Sequence, residues 1–532
     1  MRSRTPLIAL VGVAALALTS CAAGTGSGGG GDPTEGTLAD GKTFTSVIST
    51  DPGNLDPFVT VMSVARSIDR FLYARLVEVM EDGSIASGLA DSWEADTTTA
   101  TFTLRDGLTC EDGTPLTATD VAANITHIGD PDNGSPLIGL QVQPGTSAVG
   151  DDANGTVTVT SGRPDSFLLE NIGSISIVCG SVIDDPDALA KGEGSTGMFT
   201  MTKIAPNSEY TLTRRDDFAW GPDDWDPKQK GLPDTVVFRV IPNETTAANL
   251  LLSGEVNAAL VIGPDRTRLS DAGLFSTEML VPAGQFTFNQ ATGRPTADQA
   301  VREALLKALD LEQMRQVLGG GTATVPTGMV TVSPNPCRAD VLKGYIPSFD
   351  AKAAAAELDK AGWKVGSDGT RSKDGEPLTL KMIYSSSLGD AGNATAELAQ
   401  TSWKSLGVDV TVVSVDSPTL SETLFSTGDW DISAASLTVS LPSMLVPFFS
   451  GPTPPDGTNF ASIVNQDYVD AVTAASAKAS SEGCDDWGKA EQALYATSSV
   501  MQYANLNQST FANKATFTSG DGIDPTSIRM YE

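Results

Sequence analysis

The sequence predicts an α/β fold, because strand-like and helix-like segments alternate along most of the chain. Residues 234–241 form a β-branched run typical of a strand. Apolar residues at 300, 301, 304, 305, 308 and 309 recur with helical spacing and define one face of a helix. The chain has 532 residues, which is too long for one hydrophobic core, so we expect two or three domains.

The individual elements follow from the same periodicities and from turn residues. Thr117 to Asp120 resembles a capping box, which predicts a helix from there to about Ile128. The remaining predictions are strands at 43–49, 99–104, 377–384 and 408–415 and from Trp430, and helices at 63–79, at 297–309, before Gly407, near 418–427, at 466–480 and at 485–500.

The N-terminus has the pattern of a secretory signal. Arg2 and Arg4 precede an apolar stretch at 7–18, and Leu18-Thr19-Ser20-Cys21 resembles a bacterial lipobox. This resemblance implies a lipoprotein signal peptide at 1–20 and a lipid on Cys21, followed by a flexible Gly-rich linker at 21–37. We therefore expect a protein anchored by lipid on the outer face of the cytoplasmic membrane.

Composition excludes several classes of protein. Hydrophobic residues make up 40% of the chain and charged residues 19%, which is typical of a globular protein. The net charge of −32 argues against nucleic acid as a partner, because phosphate contacts require clustered Lys and Arg. After the signal segment no apolar run is long enough to predict a transmembrane helix.

Catalytic and metal-binding patterns do not support an enzyme. The segment 36–43 matches the phosphate-binding pattern G-x-x-x-x-G-K-[ST], but a linker precedes it and a strand follows it, which is the wrong context. His127 is the single histidine, and we expect it to lie at a helix end rather than in a site. We predict no catalytic residue, no metal site and no cofactor.

Several motifs occur in the order of one known family. The segments 89–93, 101–107 and 112–121 resemble the signature region of family 5 of bacterial extracellular solute-binding proteins, which includes peptide- and nickel-binding components of ABC importers. Further matching segments are 54–57, 194–199, 249–257, 288–310 and 349–363. The resemblance covers nearly the whole mature chain.

The resemblance implies a two-lobed periplasmic-binding-protein-like fold with an extra middle domain and a hinge of two crossing segments, near 285–289 and near Ala490. The expected boundaries are 38–65, 195–285 and 491–532 for lobe I, 66–194 for the middle domain, and 286–490 for lobe II. Four cysteines besides Cys21 allow three disulfide pairings. We favour Cys110–Cys179 and Cys337–Cys484, because each pair then lies within one expected domain.

The family implies a function without catalysis. We expect a monomeric receptor that binds a small solute between its lobes and delivers it to permease subunits with their ATPases. Peptides are the first expectation, with an oligosaccharide or another small organic solute as the alternative. A secreted hydrolase and a surface adhesin are alternatives from other classes.

Candidate ligand residues come from the resemblance alone. In peptide-binding members an aspartate of the second lobe pairs with the ammonium of the peptide, and Ser440 stands at the matching position here. A buried ammonium without a carboxylate is costly, so this departure argues against recognition of a free N-terminus at that position. Trp403 or Trp430 would be the stacking residue for a sugar. The expected cleft residues are Thr60, Met62, Leu437, Thr438 and Ser440.

Overall fold

The computed structural model describes residues 36–60, 62–222, 225–520 and 522–532. The predicted signal peptide at 1–20, the predicted lipidation site Cys21 and all of the linker before Gly36 lie outside the described residues. Within the described ranges, every helix is too short or too polar to span a lipid bilayer.

The strands are numbered β1 to β21 along the described chain. They are β1 (Thr43–Ile48), β2 (Val77–Val79), β3 (Ile85–Ser87), β4 (Ala90–Ala95), β5 (Thr99–Leu104), β6 (Ser147–Asp151), β7 (Thr156–Thr160), β8 (Phe199–Ala205), β9 (Glu209–Arg214), β10 (Thr235–Val240), β11 (Ala258–Val261), β12 (Phe275–Phe288), β13 (Lys364–Val365), β14 (Arg371–Lys373), β15 (Glu376–Pro377), β16 (Thr379–Ser385), β17 (Asp409–Val415), β18 (Ile432–Ala434), β19 (Val500–Ala512), β20 (Ala515–Thr516) and β21 (Arg529–Met530).

The α-helices are numbered in the same way. They are α1 (Ser63–Leu72), α2 (Ala118–Gly129), α3 (Leu168–Gly173), α4 (Pro186–Leu189), α5 (Glu244–Ser253), α6 (Asp265–Asp271), α7 (Gln299–Lys307), α8 (Leu311–Leu318), α9 (Ala351–Lys360), α10 (Gly389–Ser405), α11 (Ser417–Glu422), α12 (Val446–Phe449), α13 (Gln466–Ser476) and α14 (Cys484–Ala496). The alternation of helices and strands confirms the predicted α/β class.

Ten strands form one mixed sheet in the order β17-β16-β18-β12-β19-β11-β1-β10-β9-β8. β12 and β19 are its longest members, with 14 and 13 residues, and they pair antiparallel along their length. On one side of this pair, β1 runs parallel to β10 and β11. On the other side, β16 runs parallel to β17 and β18. We call the paired strands β12 and β19 the spine.

Two large hydrophobic cores lie at the two ends of the spine. The first contains Phe44 and Phe238 of the sheet together with Val121 of α2, so the predicted middle domain shares it. The second contains Trp403 and extends along the chain as far as Ala504. The domain boundaries and the two hinge crossings stay predictions. The two cores on one spine fit the predicted two-lobed fold.

Two disulfides tie together distant segments of the described chain. Cys110 is joined to Cys179 with an S–S distance of 2.14 Å, and Cys337 to Cys484 with one of 2.01 Å. This pairing agrees with the one predicted from the sequence. The second disulfide fixes the loop around Cys337 to the first residue of α14.

Element ends differ from the predictions where the chain turns into a strand. The capping box is confirmed, since Thr117 Oγ1 accepts a hydrogen bond from Asp120 N at 3.1 Å and Asp120 Oδ2 accepts one from Thr117 N at 2.9 Å. The helix predicted for 63–79 ends at Leu72, because the chain becomes extended at Tyr73 and 77–79 pairs with 85–87 as a hairpin. Similarly, the helix predicted to end near 500 ends at Ala496, before β19 begins.

Candidate binding site

The sheet has one group of parallel strands on each side of the spine. β1, β10 and β11 form the first group, and β16, β17 and β18 form the second. The carboxyl ends of the two groups point toward each other. β11 runs in the same direction as β12, because both are antiparallel to β19, whereas β18 runs antiparallel to β12. Val261 at the end of β11 is level with Glu278 of β12, and Ser433 of β18 is level with Thr287. Nine residues of strand separate these levels, which corresponds to roughly 30 Å. The described sheet therefore has two facing carboxyl edges, with the middle of the spine between them.

Ligands of open α/β sheets bind beyond the carboxyl ends of parallel strands. The predicted residues Thr60 and Met62 follow β1 on one edge, and Leu437, Thr438 and Ser440 follow β18 on the other. No hydrogen bond between described residues joins the first group to the second. The sequence prediction therefore placed its residues on both edges, but their role as ligand residues stays a prediction.

A cavity of about 690 Å³ lies at the carboxyl edge of β1, β10 and β11. Its walls come from α1, from the first turn of α5, from β11, from the spine and from the residues at 519, 520, 522 and 523. Ser63 and Val64 of α1 line the cavity directly after Met62, whereas Leu437, Thr438 and Ser440 do not line it. The volume lies within the range of sites for small organic ligands.

Contacts with residues 66–194, which we call the middle segment, fix the loop after β1. The buried carboxylate of Asp56 accepts a hydrogen bond from Phe58 N at 2.9 Å, and Ser135 Oγ donates to Phe58 O at 2.5 Å. The Phe58 ring packs on His127 with centroids 4.8 Å apart. Burial raises the pKa of Asp56, an effect that the Phe58 N–H opposes. Thr60 of this loop is also buried.

Glu244 fixes the end of β11 at the cavity wall. Its Oε2 accepts a hydrogen bond from Ile262 N and its Oε1 accepts one from Gly263 N, both at 2.8 Å. A Cβ at Gly263 would lie 2.5 Å from Glu244 Oε1, so a side chain there would displace this carboxylate. The Glu244 carboxylate is therefore engaged in shaping the wall.

The segment after β18 lies on the second core. Leu437 and Val439 pack against that core, and Thr438 is exposed. Ser436 Oγ is buried and has no hydrogen-bond partner among the described residues. Leu441 ends the segment and packs in a separate cluster with Phe167, Ala475 and Trp487. Through this cluster the second edge contacts the middle segment of the chain.

The contact between the middle segment and the segments around 441, 475 and 487 lies away from the spine. Ser166 Oγ donates a hydrogen bond to Ala475 O at 3.0 Å, and Ser480 N donates to Ser166 O at 2.5 Å. Ser480 Oγ also donates to Glu170 Oε1. We call Phe167, Leu441, Ala475 and Trp487 the bridging cluster. Sequence reasoning missed it, because nothing local in the sequence marks contacts between residues about 300 positions apart.

α1, which lines the cavity, also carries a buried carboxyl group. Asp69 of α1 is 3% exposed, and burial raises its pKa well above the usual range. Its Oδ1 has no hydrogen-bond partner among the described residues. In the part of the chain that the structure describes, no three His, Cys, Asp or Glu side chains come together as metal ligands would.

Solved structures share this architecture over nearly the whole chain. The ABC transporter substrate-binding protein CtaP from Listeria monocytogenes superposes with a TM-score of 0.78 at 20% identity, covering 93% of this chain and 100% of that one. A substrate-binding protein from Microbacterium hydrocarbonoxydans, complexed with 4-hydroxybenzoate hydrazide, has a TM-score of 0.68 at 24% identity, covering 92% and 100%. These likenesses confirm the two-lobed solute-binding fold.

Sequence relatives extend the comparison. The oligopeptide-binding protein OppA of Bacillus subtilis is 26% identical over 444 residues, which is 77% of each chain. The nickel-binding periplasmic protein of Escherichia coli is 26% identical over 357 residues, and the match spans 64% of this chain and 65% of that protein. The family model for bacterial extracellular solute-binding proteins, family 5 Middle, matches residues 84–454. The chain therefore belongs to family 5 of the bacterial extracellular solute-binding proteins.

Proposed function

We propose that this protein is the solute-binding receptor of an ABC importer and that it takes a peptide or a peptide-like solute. Two facing carboxyl edges on one spine, with a 690 Å³ cavity on the first edge, are the observation that carries the proposal. Family membership supports it, because the matched relatives are binding proteins of this kind. The receptor would deliver its solute to the permease subunits and their ATPases.

Closure of the two edges is the proposed binding step. A solute that contacts both edges binds the closed state better than the open one, and it shifts the population accordingly. The spine is irregular at Pro282–Gln285, where the pairing with β19 changes register, and such bulges bend a strand locally. We propose that the lobes rotate about this stretch.

The proposed contacts come from both edges. Thr60 and Met62 would border the solute from the first edge, and Leu437, Thr438 and Ser440 from the second. Met62 is 49% exposed and directly precedes α1, which lines the cavity. Hydroxyl groups at 438 and 440 suit the amide groups of a peptide better than its charged ends.

Two alternatives are less well supported. A sugar site built on Trp403 or Trp430 conflicts with the structure, because both side chains are completely buried in the second core. A hydrolase would require a nucleophile beside a base. The single His127 instead packs on Phe58 at the end of α2. We therefore propose binding without catalysis.

We further propose that Cys21 carries the lipid and that the protein acts as a monomer on the outer face of the membrane. The lipobox-like sequence supports this placement. Metabolic labelling with a palmitate analogue tests it, since a C21S variant should lose both the label and the membrane association. Label on the C21S variant would contradict the proposed anchor.

The solute is tested by native mass spectrometry after mild purification, followed by thermal shift with peptides, sugars and metal chelates. A solute at a hundred times its Kd stabilises the folded state by about 2.7 kcal/mol. Stabilisation by short peptides alone supports the proposal. Hydrolysis of a peptide during the assay, or the absence of binding by every class, would contradict it.

A further inference from the structure

The first carboxyl edge exposes large apolar side chains. Leu260 and Ile262 of the cavity wall are 46% and 48% exposed. Met62 and Val59, on the loop after β1 at the same edge, are 49% and 45% exposed. A chain with a net charge of −32 has ample polar residues for its surface. Grouped apolar exposure of this kind is typical of a ligand groove.

The interior of the cavity is also largely apolar. Ile48, Phe71, Phe238 and Met279 line it from β1, α1, β10 and the spine. Leu260 lies opposite Thr510 on β19, and Thr510 lies opposite Thr277 on β12, so these three side chains share one face of the sheet. The lining thus combines these apolar side chains with hydroxyl groups, which come from Thr277, Thr510 and the serines at 46, 49, 63, 67 and 519.

Charged groups contribute little to the described lining. Among the described lining residues, Arg66 and Glu244 are the charged ones. Both carboxylate oxygens of Glu244 accept backbone N–H groups, at 2.8 Å, from Ile262 and Gly263, which directly follow β11. Its charge therefore stabilises the protein's own backbone rather than a positively charged solute.

We propose that the solute carries a bulky apolar group, aromatic or branched aliphatic, that occupies this cavity against Leu260 and Ile262. The inference rests on the proposed receptor function and narrows it to hydrophobic peptides or peptide-like molecules. Burial of the apolar surface of such a group in this cavity favours binding, because it removes that surface from water. Polar main-chain groups of the solute would meet the hydroxyls of Thr277 and Thr510.

Calorimetric titration with two tripeptides of equal charge tests the proposal. Ala-Phe-Leu and Ala-Ser-Asn differ in the apolar surface of their side chains and share their termini. We expect Ala-Phe-Leu to bind at least tenfold more tightly than Ala-Ser-Asn. We also expect binding of Ala-Phe-Leu to weaken by tenfold or more in Leu260→Asn and in Ile262→Asn, measured with protein whose circular dichroism matches the parent.

Val149→Asn is the matched control, because Val149 is an apolar strand residue that is 72% exposed and lies in β6, away from the cavity. It should bind both tripeptides as the parent does. Equal binding of the two tripeptides, or tight binding that survives both cavity variants, would overturn the apolar preference and leave the receptor function standing. Failure of every solute class in the thermal-shift panel would overturn the receptor function itself.

Discussion

Phe167 of the middle segment stacks on Trp487 of α14, with ring centroids 6.0 Å apart and ring planes at 29°. Phe167 is completely buried, although the two residues belong to different halves of the chain. Leu441, which ends the segment after β18, packs in the same cluster. The contact therefore links the middle segment to the loop that holds the predicted residues of the second edge.

Phe167→Ala should loosen this contact while both cores stay folded. Truncation of a buried phenylalanine costs about 3 kcal/mol or more. We expect faster hydrogen exchange around Ser480, whose N–H donates to Ser166 O at 2.5 Å, and unchanged exchange in the spine. Exchange measured by mass spectrometry tests this, with Phe349→Ala as the control, because Phe349 is 56% exposed. Unchanged exchange at Ser480 would contradict a structural role for the Phe167 ring.

The disulfide beside this contact should have a local effect of its own. Cys337–Cys484 ties the 335–338 loop to the start of α14, one turn before Trp487. The double variant Cys337→Ser/Cys484→Ser should lose about 2–4 kcal/mol of stability, measured by urea unfolding. It should also accelerate exchange at Ser480.

Removal of Cys110–Cys179 provides the matched comparison, because that disulfide lies within the first core. The double variant Cys110→Ser/Cys179→Ser should lower stability by a similar amount while leaving exchange at Ser480 unchanged. Equal acceleration at Ser480 in both double variants would show that the effect is not local.

Local sequence signals predicted much of the fold. Thr117 and Asp120 marked the start of α2, and the β-branched run at 234–241 marked β10, because caps and strand periodicity depend on near neighbours. The predicted strand at 99–104 agrees with β5 in both bounds. These predictions required no knowledge of tertiary contacts.

The site was less accessible to sequence reasoning. The cavity wall combines Leu260 with Thr277 and Thr510, which only sheet pairing brings together. Ser166 and Ala475 are 309 residues apart in the chain. The available signal was the apolar pair Leu260, in the short strand β11, and Ile262, just after it, and such a pattern is equally typical of a core strand.

Gly284 of the spine should not tolerate a side chain. A Cβ there would lie 2.6 Å from Tyr503 Cε2 and 2.9 Å from Ala504 Cβ. Tyr503 is buried and stacks on Phe286 at 5.2 Å, so its ring has little room to move. Gly284→Ala should therefore lower the free energy of unfolding by about 1–3 kcal/mol.

The control for this spine variant is Gly520→Ala, because a Cβ at Gly520 meets no atom within 4 Å. Urea unfolding of the two variants should give a lowered midpoint for Gly284→Ala and the parent's midpoint for Gly520→Ala. Equal midpoints for both variants would mean that the spine adjusts at Gly284 without cost.

Glu491 of α14 is buried, and its Oε2 accepts hydrogen bonds from Met329 N at 2.7 Å and from Tyr495 Oη at 3.1 Å. Burial raises the pKa of this carboxyl from 4.5 to about 7, because the charged form is poorly solvated there. Between these pH values the folded protein keeps a proton that the unfolded chain releases.

Glu491→Gln should therefore remove part of the pH dependence of stability. Because the folded state binds more protons than the unfolded state between pH 4.5 and 7, the Glu491 contribution falls as the pH rises through that window, by on the order of 3 kcal/mol. Gln keeps a carbonyl oxygen for Met329 N but does not titrate.

Since burial also raises the pKa of Asp56, the informative quantity is the difference in unfolding free energy between parent and variant, measured by urea unfolding at pH 5, 6, 7 and 8. As the pH rises, Glu491→Gln should become more stable relative to the parent. The exposed control Glu376→Gln should differ from the parent by the same amount at every pH. A constant difference for Glu491→Gln would mean that Glu491 stays ionised in the folded protein across this range.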